Sequence, residues 1–328
     1  MRALTIEDVY ADLAGDLQEV SRILAETAAS HLEFIPRALD RPLASGGKRL
    51  RPALVLLSAR AVSESPAPEV VEIAAAAEAI HLATLILDDV IDQAELRRGQ
   101  ETLHRVWGNE IPVLLAEYVF ARTCARLATG DFRRSLAVLA NVSTRMCEGE
   151  LMEVLNRHNL GTSEAHYLSI IEAKTAALFS ACCQAGGLAA EGPRETCEAL
   201  EEAGREFGVA YQIVDDVLDF LGEERLLGKR PGQDLVCGRV TLPLIHALGN
   251  ADPARRAHME AVLRAGGDVH EQLPEAVTFI KEHGGFDYAR QVALGHAERA
   301  KEIVRSLPES HAREGLLALT DYALEGRG

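Results

Sequence analysis

Residues 80–99 read IHLATLILDDVIDQAELRRG, an apolar run that closes on Asp88-Asp89-Val90-Ile91-Asp92 and then Arg97-Arg98-Gly99. Read as a helix, it places Asp88 and Asp92 one turn apart on one face, about 6 Å along the axis, with Asp89 beside them. Three carboxylates on one helix end attract a divalent cation. The pattern returns as Asp215-Asp216-Val217-Leu218-Asp219, again on an apolar lead, with Lys229, Arg230 and Arg239 soon after. Such oxygen ligands suit magnesium, which sheds water reluctantly and bridges carboxylate to phosphate. One set alone would pass for a solvated acidic helix end, but two sets with nearby cations point to a polyphosphate held between them.

Working outward, His81 shares the face of Asp88 two turns earlier. Ala83 and Thr84 keep the helix narrow just beneath the acidic cluster and leave room for something long and apolar to pass. Upstream, Gly46-Gly47-Lys48-Arg49-Leu50-Arg51-Pro52 sets paired glycines beside three cations and suggests an anion site. It lacks the spacing and terminal Ser or Thr of an NTPase phosphate loop. Downstream, Lys174-Thr175 lies among Ala, Leu and Phe, where a lysine either snorkels or pairs with an anion. Gln212 is one turn before Asp215 and faces the same space. The loop from Gly222 to Val240 is rich in glycine and charge and is expected to close over phosphate and exclude water.

The 328 residues are 48% apolar, enough for one large core or two modest domains. A formal charge of -16 excludes nucleic acid as the main partner. The six cysteines show no Cys-x-x-Cys spacing and read as small buried groups in a reducing, cytoplasmic setting. The N-terminus lacks a signal-peptide core. The longest apolar run, Ile73 to Leu87, is interrupted by Glu78 and His81 and reads as a buried helix rather than a membrane span.

Thr5 with Asp8 caps a helix to about Ser30, and a loop is expected around Pro36 to Pro42. Further helices are expected over Pro52–Val62, Glu69–Glu95, Ile111–Ala128, Phe132–Leu155, Glu164–Ala185 and Pro193–Leu221, then in pieces from 241 to 324. Strand alternation is nowhere sustained. The reading is all-α: a single unit, 1–328, of long helices around a central cavity.

These motifs resemble the trans-isoprenyl diphosphate synthases, or polyprenyl synthetases, over nearly the whole chain. The resemblance rests on the two Asp-rich motifs with Arg97-Arg98-Gly99, on Gly47-Lys48-Arg49-Leu50-Arg51-Pro52 and on Lys174-Thr175. Gly228-Lys229, Asp234-Leu235 and Thr241-Leu242-Pro243 add to it. It implies the isoprenoid synthase fold and magnesium-dependent condensation of isopentenyl diphosphate onto an allylic diphosphate, farnesyl or geranylgeranyl. By resemblance, Asp88, Asp92 and Asp215 hold magnesium, supported by Asp89, Asp216 and Asp219. Arg97, Lys174, Gln212 and Lys229 contact the allylic diphosphate, Thr175 and Arg239 belong to the same set, and Lys48, Arg51, His81 and Arg98 take isopentenyl diphosphate.

Three departures stand out: Ala116-Glu117-Tyr118 for Gly-Asp-Tyr, Glu153 where Gln is common, and Arg239 for Lys. Short-chain members often place an aromatic residue four or five before the first Asp. Ala83 and Thr84 there resemble the medium- and long-chain group, octaprenyl being the best match. The alternatives are a short-chain farnesyl or geranylgeranyl synthase, and the catalytic subunit of a heteromeric hexaprenyl or heptaprenyl synthase. A terpene cyclase would carry an Asn-Asp, Ser and Glu motif in place of the second Asp set. A non-catalytic subunit would have lost acidic ligands or Arg97. The resemblance further implies a homodimer, and a lipid product implies transient contact with a membrane surface.

Overall fold

The computed structural model describes residues 4–44, 47–64, 67, 69–130, 132–222, 231–265 and 269–325. Helices α1 (Ile6–Ala28), α2 (Phe34–Ala44), α3 (Leu50–Val62) and α4 (Val70–Ile91) come first. A small hairpin, β1 (Leu96–Arg97) and β2 (Gln100–Glu101), leads to α5 (Leu103–Trp107), α6 (Glu110–Ala128) and α7 (Arg133–Leu155). Then come α8 (Glu164–Ile171), one π-helical turn (Glu172–Ala176), α9 (Ala177–Ala189) and α10 (Arg194–Leu221). The chain continues through α11 (Gln233–Val236), α12 (Leu242–Asn250), α13 (Pro253–Arg264), α14 (Val269–Glu282), α15 (Gly285–Arg305) and α16 (His311–Leu324).

The expected cap at Thr5 is present: its side chain accepts from Asp8 N and the Asp8 carboxylate accepts from Thr5 N at 3.0 Å. The loop expected around Pro36 to Pro42 is instead helix α2. Pro36 falls in its first turn, where N–H groups have no intrahelical acceptor, whereas Pro42 lies inside the helix near its C-terminal end and forgoes the one backbone bond that an N–H there would donate to the Ala38 carbonyl.

Helix α4 is long and apolar enough to cross a membrane. Here Ile73, Ala74, Ala75, Ala76, Ala77, Ala79, Ile80, Ala83 and Ile86 are buried against α1, α3, α6 and α9. The alanines let these neighbours approach closely, and the run from Ile73 is a core helix as its sequence suggests. Helix α10 packs along α9 and α15. A buried Glu206 fixes the second contact, with Oε2 at 2.6 Å from His296 Nδ1 and 2.9 Å from Arg299 Nε. Phe179, Phe207 and Tyr211 cluster between α9 and α10, with Phe207 and Tyr211 stacked and Phe179 edge-on to Phe207.

Helix α4 stops at Ile91, short of the expected Glu95. The hairpin that follows was not legible as a strand pattern. It turns at Arg98 (φ 52°) and Gly99 (φ 74°), two positive-φ residues that give the tight reversal of a two-residue loop. Arg97, on β1 just before the turn, lies over the end of α4.

Candidate active site

Both Asp-rich sets lie at the C-terminal ends of long helices, Asp88 and Asp89 in the last turn of α4 with Asp92 as its C-cap, and Asp215, Asp216 and Asp219 on α10. The free carbonyls there already carry partial negative charge. Six carboxylates in such places destabilise the free protein unless cations approach, and the surrounding residues are arranged accordingly.

Around the first set, Arg97 Nε donates to Asp89 Oδ1 at 2.7 Å and Arg157 Nη2 to Asp92 Oδ1 at 2.8 Å. Arg239 Nη2 donates to the other oxygen of Asp92. Lys174 Nζ lies 2.6 Å from both Glu150 and Glu153. Burial alone would lower the lysine's pKa, but Glu153, Asp88 and Glu150 outweigh it and hold the ammonium charged. Burial pushes the Asp88 carboxyl up to about 7, against Lys174 and with help from Glu150 and Asp92.

The Lys174-Thr175 pair stands on the π turn rather than in the regular helix expected from Glu164 to Ala185. Such single-turn bulges recur at functional sites because they re-aim side chains. Gly149 of α7 makes room for it: a Cβ there would come within 2.4 Å of Lys174 N. Thr175 Oγ1 donates to Gln212 Oε1 at 2.9 Å, and Gln212 Nε2 donates to Asp216 Oδ1 at 2.7 Å. Tyr167 OH donates to the other Asp216 oxygen at 2.6 Å. Burial, with Asp234 and Asp215 adding to it, raises the Asp216 pKa well above the ordinary carboxylate range.

A polar bridge thus joins the acid sets, running from Asp92 through Arg239 to Asp234, whose N–H donates to Asp219 Oδ2 at 2.9 Å. On the second set, Thr175 reaches Asp216 through Gln212.

The cations assigned to the second substrate behave differently. Among the described residues, Lys48, Arg51 and Arg98 make no ion pair with a carboxylate. Arg51 lies over Phe179, 4.4 Å from the ring centroid, and its buried Nε has no hydrogen-bond partner. Lys48 Nζ is 4.8 Å from the Tyr322 ring centroid and 6.0 Å from that of Tyr211. Tyr10 OH donates to the Lys48 carbonyl. The Arg98 guanidinium packs so closely on Gly47 that a Cβ there would come within 2.8 Å of it. His81 joins this group: burial first, then Arg51, Arg97, Arg98 and Arg49, depress its pKa well below 6.5 and keep the imidazole neutral. A cavity of about 70 Å³ is lined in part by Arg49, Glu78, His81, Asp89, Arg97 and Arg98. Cations without a carboxylate partner among the described residues, set beside a neutral histidine, have the chemistry to receive an anion.

Of the residues read from sequence, Lys229 lies outside the described residues, as does Gly228. Ala83 is buried, and Thr84 donates its hydroxyl to the His81 carbonyl at 2.8 Å. Sequence reasoning missed Arg157, Glu150, Tyr10, Tyr167 and Tyr322. Glu150 precedes Glu153 by less than a helical turn and was open to recognition, whereas nothing local marks Arg157 or the tyrosines.

The donors fit a divalent metal. They are hard carboxylate oxygens facing the C-terminal ends of two helices, and the buried Glu150 Oε1 near Asp88 has no hydrogen-bond partner. Among the described residues no three ligands are gathered into one closed cage.

An all-helical fold with two acid-bearing helix ends, bridged by cations and set beside unpaired ones, defines a class of proteins built to hold polyphosphates. Comparison with known proteins names the family. A polyprenyl synthetase model matches residues 33–280. The short chain isoprenyl diphosphate synthase of Methanothermobacter thermautotrophicus is 34% identical over 99% of both chains. The octaprenyl diphosphate synthase of Haemophilus influenzae is 32% identical over 98% of this chain and 97% of its own. The crystal structure of polyprenyl synthase from Caulobacter crescentus complexed with calcium and isoprenyl diphosphate superposes with a TM-score of 0.94, at 33% identity and full coverage of both chains. The chain belongs to the polyprenyl synthetase family. It is an enzyme, a prenyl diphosphate synthase of the transferase class, with the all-α isoprenoid synthase fold.

Proposed function

We propose that this enzyme condenses isopentenyl diphosphate head-to-tail onto an allylic diphosphate and makes a medium- or long-chain all-trans polyprenyl diphosphate, octaprenyl in the first instance. The observation that carries the reading is the contrast between the two cation groups. Arg97, Lys174 and Arg239 are neutralised by carboxylates, as befits a metal–diphosphate site, while Lys48, Arg51 and Arg98 await an anion. The calcium named in the Caulobacter structure supports a divalent metal, and magnesium is our assignment. Asp88, Asp92 and Asp215 would hold it. When bound, it supplies Lewis-acid neutralisation of charge on the departing diphosphate.

This chain's own residues do the rest. Arg97, Lys174, Gln212 and Lys229 orient the allylic diphosphate and stabilise its negative charge as the C–O bond breaks and an allylic cation forms. Lys48, Arg51, Arg98 and neutral His81 fix isopentenyl diphosphate so that its double bond meets that cation. The proton then leaves to the departing diphosphate, so no side-chain base is required.

Ala83 and Thr84 support the longer products, because neither presents a bulky floor below Asp88. The Haemophilus relative's name is consistent with that, and the Methanothermobacter name marks the short-chain alternative. We further assign the chain to a single domain in the cytoplasm, its cysteines all free, working as a homodimer with passing membrane contact through its product. The test is product-length analysis with magnesium, labelled isopentenyl diphosphate and farnesyl diphosphate. A product near eight isoprene units is expected, shortened by Ala83→Phe or Thr84→Phe. Termination at geranylgeranyl diphosphate by the wild type would overturn the chain-length reading. No product at all would point to a required second subunit.

A further inference from the structure

The two departures at Glu153 and Arg239 touch each other. Glu153 lies on α7 and Arg239 in the segment after α11. Glu153 Oε1 accepts from Arg239 Nε at 2.8 Å and from Lys174 Nζ at 2.6 Å. The remaining Arg239 nitrogens are also spoken for, Nη1 by Asp234 Oδ1 at 3.3 Å and Nη2 by Asp92. The guanidinium therefore spans three carboxylates, one per nitrogen. A lysine offers one nitrogen and could not do so. The backbone is held in place as well: Arg239 N donates to Asp234 O at 2.7 Å, and His158 N donates to Gly238 O at 2.7 Å. Gly238 has φ 73°, and a Cβ there would come within 2.4 Å of the His158 ring.

We propose that Glu153 and Arg239 form a matched exchange pair, in which Arg239 neutralises Asp92 before metal arrives and Glu153 is the counter-charge that retains the guanidinium once Asp92 is given up. Arg239 then acts as a positioning residue with a built-in competition against metal at Asp92. Its planar fork keeps Glu153 and Asp234 while Nη2 is released toward the diphosphate. Glu153 is what makes the release easy. With glutamine in its place, Nε loses an anionic partner and the guanidinium leans more heavily on Asp92.

The inference rests on reading the site as a metal–diphosphate site, and its test has opposite signs that a merely structural contact would not give. Magnesium is titrated by calorimetry into the full-length protein with inorganic diphosphate, for the wild type, Arg239→Lys, Glu153→Gln and the double variant. Arg239→Lys is expected to lower the half-saturating magnesium concentration, and Glu153→Gln to raise it, each by about threefold or more. In the Arg239→Lys background the Glu153→Gln effect shrinks to less than half. Shifts in the same direction, or effects that simply add, would overturn the exchange while leaving the functional reading intact. Failure of the wild type to bind diphosphate in a magnesium-dependent way would remove both.

Discussion

The surroundings of Asp88 oppose its own charge. Burial is the largest cause, and the carboxyl titrates at about 7 instead of 3.8. A pKa higher in the folded than in the unfolded state means proton uptake on folding. The group's contribution to stability is therefore complete below about 3.8 and is lost as pH rises through about 7. Asp88→Asn removes the titration at nearly constant volume. At pH 8 and without metal, the variant should unfold a few degrees above the wild type, a gap of ~1 kcal/mol or more that closes near pH 4. In the same variant, turnover with magnesium should fall by about two orders of magnitude. Thermal melts across pH with chelator, paired with a condensation assay, check both halves. A variant no more stable than the wild type at pH 8 would mean that Asp88 is neutralised locally.

Lys174 depends on how α7 meets the π turn. Gly149 lets the two backbones touch, and Lys174 then reaches Glu150 and Glu153 together. In Gly149→Ala the added Cβ meets backbone nitrogen, which cannot swing aside as a flexible side chain would. A cost of ~1–3 kcal/mol is expected, measured by denaturant unfolding. Because the displaced element carries Lys174-Thr175, the KM for the allylic diphosphate should rise as well. Cys147→Ala, on the same helix but exposed, is the control and should change neither quantity.

Across the molecule, exposed apolar side chains gather on two adjacent helices: Val113 and Leu114 on α6, and Leu151, Val154 and Leu155 on α7. Leu155 is 85% exposed, which an isolated apolar side chain tolerates but a row of them invites a partner to cover. In a homodimer these residues would be buried. Leu151→Glu with Leu155→Glu should then halve the mass seen by light scattering. An unchanged mass would mean that this face is not a dimer contact.

Much of this was written locally. The Thr5 cap, the all-helical class and both Asp-rich helix ends follow from short-range patterns, because helical periodicity and capping chemistry act within a few residues. The family followed from the same motifs. Several expectations failed where the deciding contact was distant or the backbone irregular. Helix α2 runs over Pro36, which falls in its first turn, and takes in Pro42 near its end at the loss of one backbone hydrogen bond. The hairpin at Arg98-Gly99 is too short to show strand alternation. The π turn under Lys174 gives no signal in composition. Arg157, Tyr10 and Tyr322 reach the site only because α7, α1 and α16 pack beside it. The sequence by itself determined which residues bear charge and which helices carry them. Only the tertiary structure decided which charges meet, and so which cations are neutralised and which are left for an anion, because Coulomb energy depends on separation and burial rather than on order along the chain.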